Sequence, residues 1–293
     1  LKMGWILLLE HPKGVNSNRS LNGLFSSDKF SGIQLYFLNR IAYNEPSNEI
    51  GIDIAKGFIM IDNKRVKEIL FGLGADLCGI ASIDRFHDAP KGYHPTDVLP
   101  TCKSVISFGC RFPIGTLSCT SPVPYTRARN SITSKMDAMA LDFCIEMEKY
   151  QIACVPIPTN ESQWDDNTKR WRSIISQKHA AQAAGLGTIG RHSLLITPEF
   201  GSMVWLGAVL CEQELECDEL KDNICNNCNA CVNICPVNAL EHLELEQQAC
   251  WDYAFGDDKT IQSWVISCHK CRDICPYNLG TENSSFFIHR NSK

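Results

Sequence analysis

Seven cysteines near the C-terminus fall into two tight runs, and their spacing commits that part of the chain to a particular chemistry. Cys225, Cys228, Cys231 and Cys235 form C-x2-C-x2-C-x3-C followed by Pro236, and Cys268, Cys271 and Cys275 form C-x2-C-x3-C followed by Pro276. The first run has the bacterial iron–sulfur spacing, in which three close thiolates hold one cubane and the fourth reaches across to a second. The second run is short of ligands, and Cys250, between the two runs, is the candidate that completes the set. The expectation is one [4Fe–4S] cluster on Cys225, Cys228, Cys231 and Cys275, and another on Cys235, Cys250, Cys268 and Cys271. Zinc would call for paired C-x2-C ligands rather than a tight triplet with Cys-Pro. A disulfide framework suits a small secreted chain, whereas this one has the length for a full core and shows no secretory signal.

A chain of 293 residues accommodates one large domain or two ordinary ones. Its 44% hydrophobic and 21% charged content is that of a globular protein. The net charge of −5 provides no global basic field for nucleic acid, so a contact with tRNA would rest on a local patch that charge does not support. The apolar run Trp5 to Leu9 is too short to span a bilayer, so no membrane association is expected. Sixteen cysteines without an export signal point to a reducing cytoplasm, in an anaerobe, because cubanes and thiols are oxygen-sensitive. The cysteines outside the two runs, Cys78, Cys102, Cys110, Cys119, Cys144, Cys154, Cys211 and Cys217, read as small, mostly buried hydrophobes.

Residues 1–59 show no sustained period and read as an atypical N-terminal extension. Organisation begins after Met60, with Val66, Ile69, Leu70 and Leu73 on one helical face and Gly74 as a stop. Ser104–Cys110 reads as a buried strand, Lys135–Gln151 as an amphipathic helix, and Cys154–Pro158 as an edge strand limited by its prolines. Ser176–Ala184 reads as a small-residue helix ending at Gly185. Leu194–Thr197 and Met203–Leu210 read as strands around a turn at Pro198–Gly201. This alternation predicts a layered α/β (α+β) domain over 60–215. A two-cluster ferredoxin-like module follows over 216–280, with short helices after each Cys-Pro, and then a polar tail over 281–293.

Gly185, Gly187 and Gly190 spell G-x-G-x-x-G, yet they follow a helix-like stretch, whereas a dinucleotide loop follows a strand and opens a helix. These glycines are expected to let the backbone approach a flat cofactor or a neighbouring helix. A ferredoxin module joined to a larger domain predicts internal wiring. One cubane takes electrons near the surface, from ferredoxin or flavodoxin, and the other lies near a redox site.

The stretch AAGLGTIGRHSLLITPEFGSMVWLGAVL, followed by the cysteine motifs and Cys250, resembles the shared core of epoxyqueuosine reductases and reductive dehalogenases. ADLCGIASIDRF, LPTCKSVISFG and YTRARN resemble the N-terminal half of the epoxyqueuosine reductase group. The resemblance covers roughly residues 62–280. It implies a nitroreductase-like domain binding cobalamin as a base-off corrinoid beside one cubane, and reduction of a small-molecule or modified-nucleoside substrate. The sequence departs from that family where an acidic residue is expected before A-G-L-G: Trp171-Arg172-Ser173-Ile174 carries no carboxylate.

Candidate catalytic groups are Tyr125, as a phenol whose pKa the sequence-neighbouring Arg127 and Arg129 would lower, Arg191, as an anion or amide holder, and His179, as an acid near neutral pH. Lys178, Asn160 and the three glycines are candidate cofactor contacts. The Asp165–Asp166 pair reads as a solvated loop. The alternative to a corrinoid-dependent reductase is a non-catalytic two-cluster electron-transfer or accessory protein that has lost corrinoid binding.

Overall fold

The structure is a computed structural model that describes residues 51–53 and 58–282, apart from 167, 169, 243, 256 and 259–262. Most of the expected extension over 1–59, and the tail after 282, lie outside the described residues. Two short strands, β1 (Gly51–Asp53) and β2 (Phe58–Met60), pair antiparallel ahead of the main domain.

Helix α1 (Asn63–Leu73) ends where the sequence places its stop. Its first turn is capped by the Asp62 carboxylate, which accepts the Arg65 amide N–H at 2.8 Å. Gly74, at φ 101°, closes the last turn in the left-handed conformation. Val66 and Leu70 are its fully buried residues.

Four strands follow, β3 (Leu77–Ser82), β4 (Ser104–Arg111), β5 (Cys154–Ile157) and, much later, β10 (Val204–Cys211). They form one sheet in the order β3-β4-β10-β5. Every pairing in it is antiparallel, so the layers are those of an α+β domain rather than of a parallel α/β sheet. The central pair, β4 and β10, is buried along almost its whole length, which explains the near-continuous apolar runs SVISFGC and VWLGAVLC. Opposite Phe108 stands Gly207, where a Cβ would meet the ring at 2.5 Å; the missing side chain lets the phenyl lie over the strand. Strand β5 pairs with β10 alone, an edge position that tolerates Pro156 and Pro158.

Helices cover both faces. Helix α2 runs from Val123 to Glu148, twelve residues ahead of the expected start, and it takes in the YTRARN stretch. Pro124 sits in its first turn, where no N–H is needed, and Tyr125, Ile132, Met136, Met139, Phe143 and Met147 carry its buried face. It packs on β5 and β10 and against α1. Helix α3 (Gln177–Ala183) covers the other face, where Ala180 and Ala184 join Ala81, Val105, Ala208 and Leu210 in one core cluster. Its small residues have a physical cause: a Cβ on Gly79 of β3 would stand 2.2 Å from the Ala184 carbonyl oxygen, so backbone lies nearly on backbone.

Between α2 and β10 the chain forms two small hairpins, β6 (Gln163–Asp165) with β7 (Arg170–Arg172), and β8 (Thr188–Ile189) with β9 (Leu195–Ile196). In the C-terminal segment, α4 (Ala230–Asn233) and α6 (Lys270–Asp273) fall inside the cysteine runs, ahead of each Cys-Pro rather than after it. Proline disfavours helical backbone in the residue before it, so each run ends its helix at the Cys-Pro step. Helix α5 (Gln247–Ala254) carries Cys250.

Candidate iron–sulfur and cofactor site

Folding gathers the cysteines into two quartets. Cys231 feels the charge of Cys225 and Cys228, and Cys275 feels all three. The four line one small cavity together with Arg191, His192 and Tyr277. Cys250 lies within electrostatic reach of Cys268 and Cys235, and Cys271 within reach of Cys250 and Cys268. Each group draws one or more members from a distant run. Burial pushes the Cys271 thiol up to about 12 and Cys275 to about 11, so binding iron must displace tightly held protons. Among the described residues no three His, Cys, Asp or Glu side chains are arranged to hold a single metal ion.

The first quartet fits a cluster in a further respect. His192 is buried, and its Nδ1 accepts the Leu194 amide N–H at 3.2 Å. A neutral imidazole accepting at Nδ1 carries its proton on Nε2, and that buried Nε2 has no hydrogen-bond partner. Burial, then Arg272 and Lys178, hold the ring's pKa down to about 4. A cluster sulfide in this cavity would satisfy the orphaned donor. The Arg191 amide N–H donates to Cys225 Sγ at 3.4 Å, the kind of N–H···S contact that tunes cluster potential.

A much larger cleft, of about 1460 Å³, opens over α3 and the β8–β9 hairpin. Drug-sized ligands occupy pockets of about 300–1,000 Å³, so this space is scaled to a bigger group. Its walls carry buried polar atoms without partners: Thr159 Oγ1, Trp171 Nε1, Gln177 Oε1, Ser202 Oγ and Arg272 Nη1. A corrinoid, flat and fringed with amides, fits both the volume and the unmet hydrogen bonds. Trp171 stacks on Trp251 at 4.4 Å, so this wall of the cleft packs on α5, the helix that carries Cys250. Arg272 lies on another wall, next to Cys271, with its guanidinium 4.9 Å over the Trp205 ring.

The remaining expected residues divide. Lys178 and His179 line the cleft. Lys178 Nζ donates to the Ser193 carbonyl at 3.0 Å and hydroxyl at 2.5 Å, and burial lowers its pKa. His179 Nδ1 is 2.7 Å from Ser176 Oγ, and burial, then Lys178, lower its pKa. Of the three glycines only Gly187 faces the cleft. A Cβ on Gly185 would strike the Glu219 carbonyl oxygen, and one on Gly190 would crowd Ile196 and His192. The motif follows α3 and runs into a two-residue strand, the reverse of a dinucleotide loop.

Three candidates lie away from the cleft lining. Tyr125 is buried, stacked on His269 at 4.6 Å, and within electrostatic reach of Cys271 and Cys268. Burial raises its pKa and outweighs the opposing pull of Arg272 and Arg129, correcting the expected lowering. Arg191 spends its guanidinium on the Glu241 and His242 carbonyls, at 3.0 and 2.7 Å, which pins the loop beside the first quartet. Asn160 is exposed and accepts from Arg129. The Asp165–Asp166 pair is engaged locally: Asp165 pairs with Arg172 at 3.3 Å, and Asp166 accepts from Trp164. Arg272, Trp205, Ser202 and His192 carry no local sequence signal beyond the placing of a cation inside a cysteine run.

A sheet domain carrying two C-terminal cysteine quartets defines an iron–sulfur protein. A 4Fe-4S binding domain matches at residues 221–241, and a second 4Fe-4S binding domain at 266–278. The chain is similar to epoxyqueuosine reductases over part of its length. It is 34% identical over 119 residues to the epoxyqueuosine reductase of Gloeobacter violaceus (strain ATCC 29082 / PCC 7421), an alignment covering 37% of each chain. A solved epoxyqueuosine reductase with a tRNA-Tyr epoxyqueuosine-modified stem loop matches with a TM-score of 0.50 and 22% identity, over 73% of this chain and 64% of that one. A reductive dehalogenase structure, described with a mechanism for B12-dependent dehalogenation, matches with a TM-score of 0.57 and 15% identity, over 88% of this chain and 38% of that one. The chain thus spans about a third to two thirds of the length of these relatives, and the structural likenesses establish the fold. Among the described residues no helix is long and apolar enough to cross a membrane.

Proposed function

We propose that the chain is a reductase that passes electrons through two [4Fe–4S] clusters to a corrinoid in the large cleft. The observation that carries this reading is the position of the cleft against the second quartet. Trp171 stacks on Trp251 of α5, the helix that also carries Cys250, and Arg272 lies within electrostatic reach of Cys271. When bound, the corrinoid would supply a low-potential metal centre able to deliver an electron pair to carbon.

The chain's own residues do the rest. Gly187 keeps one wall of the cleft close to the Ile196 backbone, and Trp171 and Trp205 add apolar ring surface to its lining. Thr159 Oγ1 and Gln177 Oε1, unpartnered on the cleft wall, would hold the amide fringe of a corrinoid. His179, which lines the cleft 2.7 Å from Ser176 Oγ, would relay a proton to the substrate through its ring. Cys228, the exposed member of the first quartet, marks the side on which ferredoxin or flavodoxin would deliver electrons in the cytoplasm.

The substrate proposed first is epoxyqueuosine in a tRNA stem loop. Losing the epoxide oxygen as water takes two electrons and two protons, which the clusters and the His179 edge of the cleft would feed. Anaerobic turnover of such a stem loop with reduced flavodoxin tests this. A nucleoside lighter by one oxygen supports the assignment. No conversion by a chain loaded with both clusters and corrinoid would sink that substrate and favour the electron-transfer alternative.

A further inference from the structure

Arg272 is 7% exposed, yet no carboxylate pairs with it among the described residues, and its Nη1 has no hydrogen-bond partner. The neighbouring Cys271 answers part of its charge, but the buried Nη1 donor still lacks an acceptor, which is unfavourable until an anion or oxygen reaches it. Its flat face is already used, stacked over the Trp205 indole. The stacking leaves Nη1 buried and without an acceptor, and a guanidinium can grip a planar or tetrahedral oxyanion from the plane of its N–H donors. Ser202, 1% exposed, lines the same cleft, and its hydroxyl likewise has no partner. Lys178, on the same lining, uses two of its three N–H bonds on Ser193. Two unmet donors and a second cation thus line one cleft, whose carboxylates Asp88 and Glu244 pair with His87 and Arg170 instead.

We infer that Arg272, with Ser202, forms an oxyanion subsite in the cleft that takes a phosphate or phosphodiester group. Because Arg272 adjoins Cys271 of the second quartet, an anion there would also lower that cluster's reduction potential, linking occupancy of the cleft to electron delivery. The phosphodiester could come from the nucleotide tail of a corrinoid or from a nucleic-acid or nucleotide substrate. The subsite rests on the cleft and the second quartet, so it can stand even where the corrinoid reading fails.

The test uses the full chain with both clusters reconstituted anaerobically, and inorganic phosphate as the probe, followed by calorimetry. Saturable binding is expected, weakened by about tenfold or more in Arg272→Gln and less in Arg272→Lys. The second cluster's midpoint potential should fall on adding phosphate to the parent chain and stay fixed in Arg272→Gln. No binding to the parent chain, or equal affinity in Arg272→Gln with its iron intact, would overturn the subsite. If Arg272→Gln loses iron, Ser202→Ala decides, since unchanged phosphate affinity there also overturns it. A second arm separates the sources. If hydroxocobalamin blocks phosphate while cobinamide, which lacks the nucleotide tail, does not, the cofactor's own phosphodiester is the occupant. If phosphate binds equally in the cobalamin-loaded chain, the subsite serves the substrate. Either result supports the oxyanion chemistry.

Discussion

The Leu194 amide N–H donates to His192 Nδ1 at 3.2 Å, and this one bond sets the tautomer of a ring that lines the cavity of the first quartet. With Nδ1 an acceptor, Nε2 keeps the proton, buried at the edge of the cavity that Cys225, Cys228, Cys231 and Cys275 enclose. A hydrogen bond to cluster sulfur favours the reduced, more negative state. His192→Ala is expected to lower the first cluster's midpoint potential by about 40 mV, the equivalent of one net hydrogen bond of about 1 kcal/mol for a one-electron couple. A redox titration followed by electron paramagnetic resonance reads the shift, and an unchanged potential would remove His192 from the cluster's environment.

The partition of the quartets makes a separable prediction. Cys275→Ala should cost the first cluster and Cys250→Ala the second, each taking the reconstituted chain from about eight irons to about four. Cys250 lies outside both matched 4Fe-4S binding domains and is therefore the sharper case. Full iron in Cys250→Ala would mean that another side chain completes the second quartet.

Gly187→Ala would place a Cβ 2.1 Å from the Ile196 carbonyl oxygen, so β8 and β9 must separate or the cleft wall must shift. Thermal unfolding should show a loss of about 1–3 kcal/mol, as for other overpacked sites. Unaltered stability would mean that the wall can yield there, and that Gly187 owes its place to the cleft alone.

Two buried thiols outside the quartets set an alkaline limit. Burial pushes Cys102 up to about 11 and Cys144 to about 12, against an ordinary value of 9.0. Below pH 9 both folded and unfolded chains keep these protons, and the stability is fully present. Above it the unfolded chain releases them first, so stability falls as pH rises toward 11, by up to about 1.4 kcal/mol per pH unit for each thiol. Denaturant unfolding across that range measures the slope. Replacing both residues by alanine should flatten it, whatever the cost in packing.

Much of this was legible in the chain, for reasons that differ by element. The cysteine quartets are visible because ligation to a compact cluster demands local spacing, and only Cys250 had to be supplied by position. Strands β4 and β10 declare themselves because both are buried on both faces. Helix α2 was only half visible, since its first turns carry Arg127, Arg129 and Asn130 among the buried positions and mask the period. Tyr125 was misjudged in direction because arginines near in sequence suggest a lowered pKa, and only the fold reveals the burial that raises it. The cleft was not legible at all. Its walls come from segments as distant as Ser176, Ser202 and Arg272, and no local pattern marks Trp205 as the ring on which a guanidinium will lie.

The central claim is that two clusters and a cofactor cleft form one electron path, and a metal count tests it most directly. The full chain is reconstituted anaerobically with iron, sulfide and hydroxocobalamin, desalted, and analysed for both metals. The account predicts about eight irons and about one cobalt per chain, with a base-off corrinoid spectrum after reduction. Eight irons with no retained cobalt would contradict it and leave a two-cluster carrier whose cleft serves another ligand.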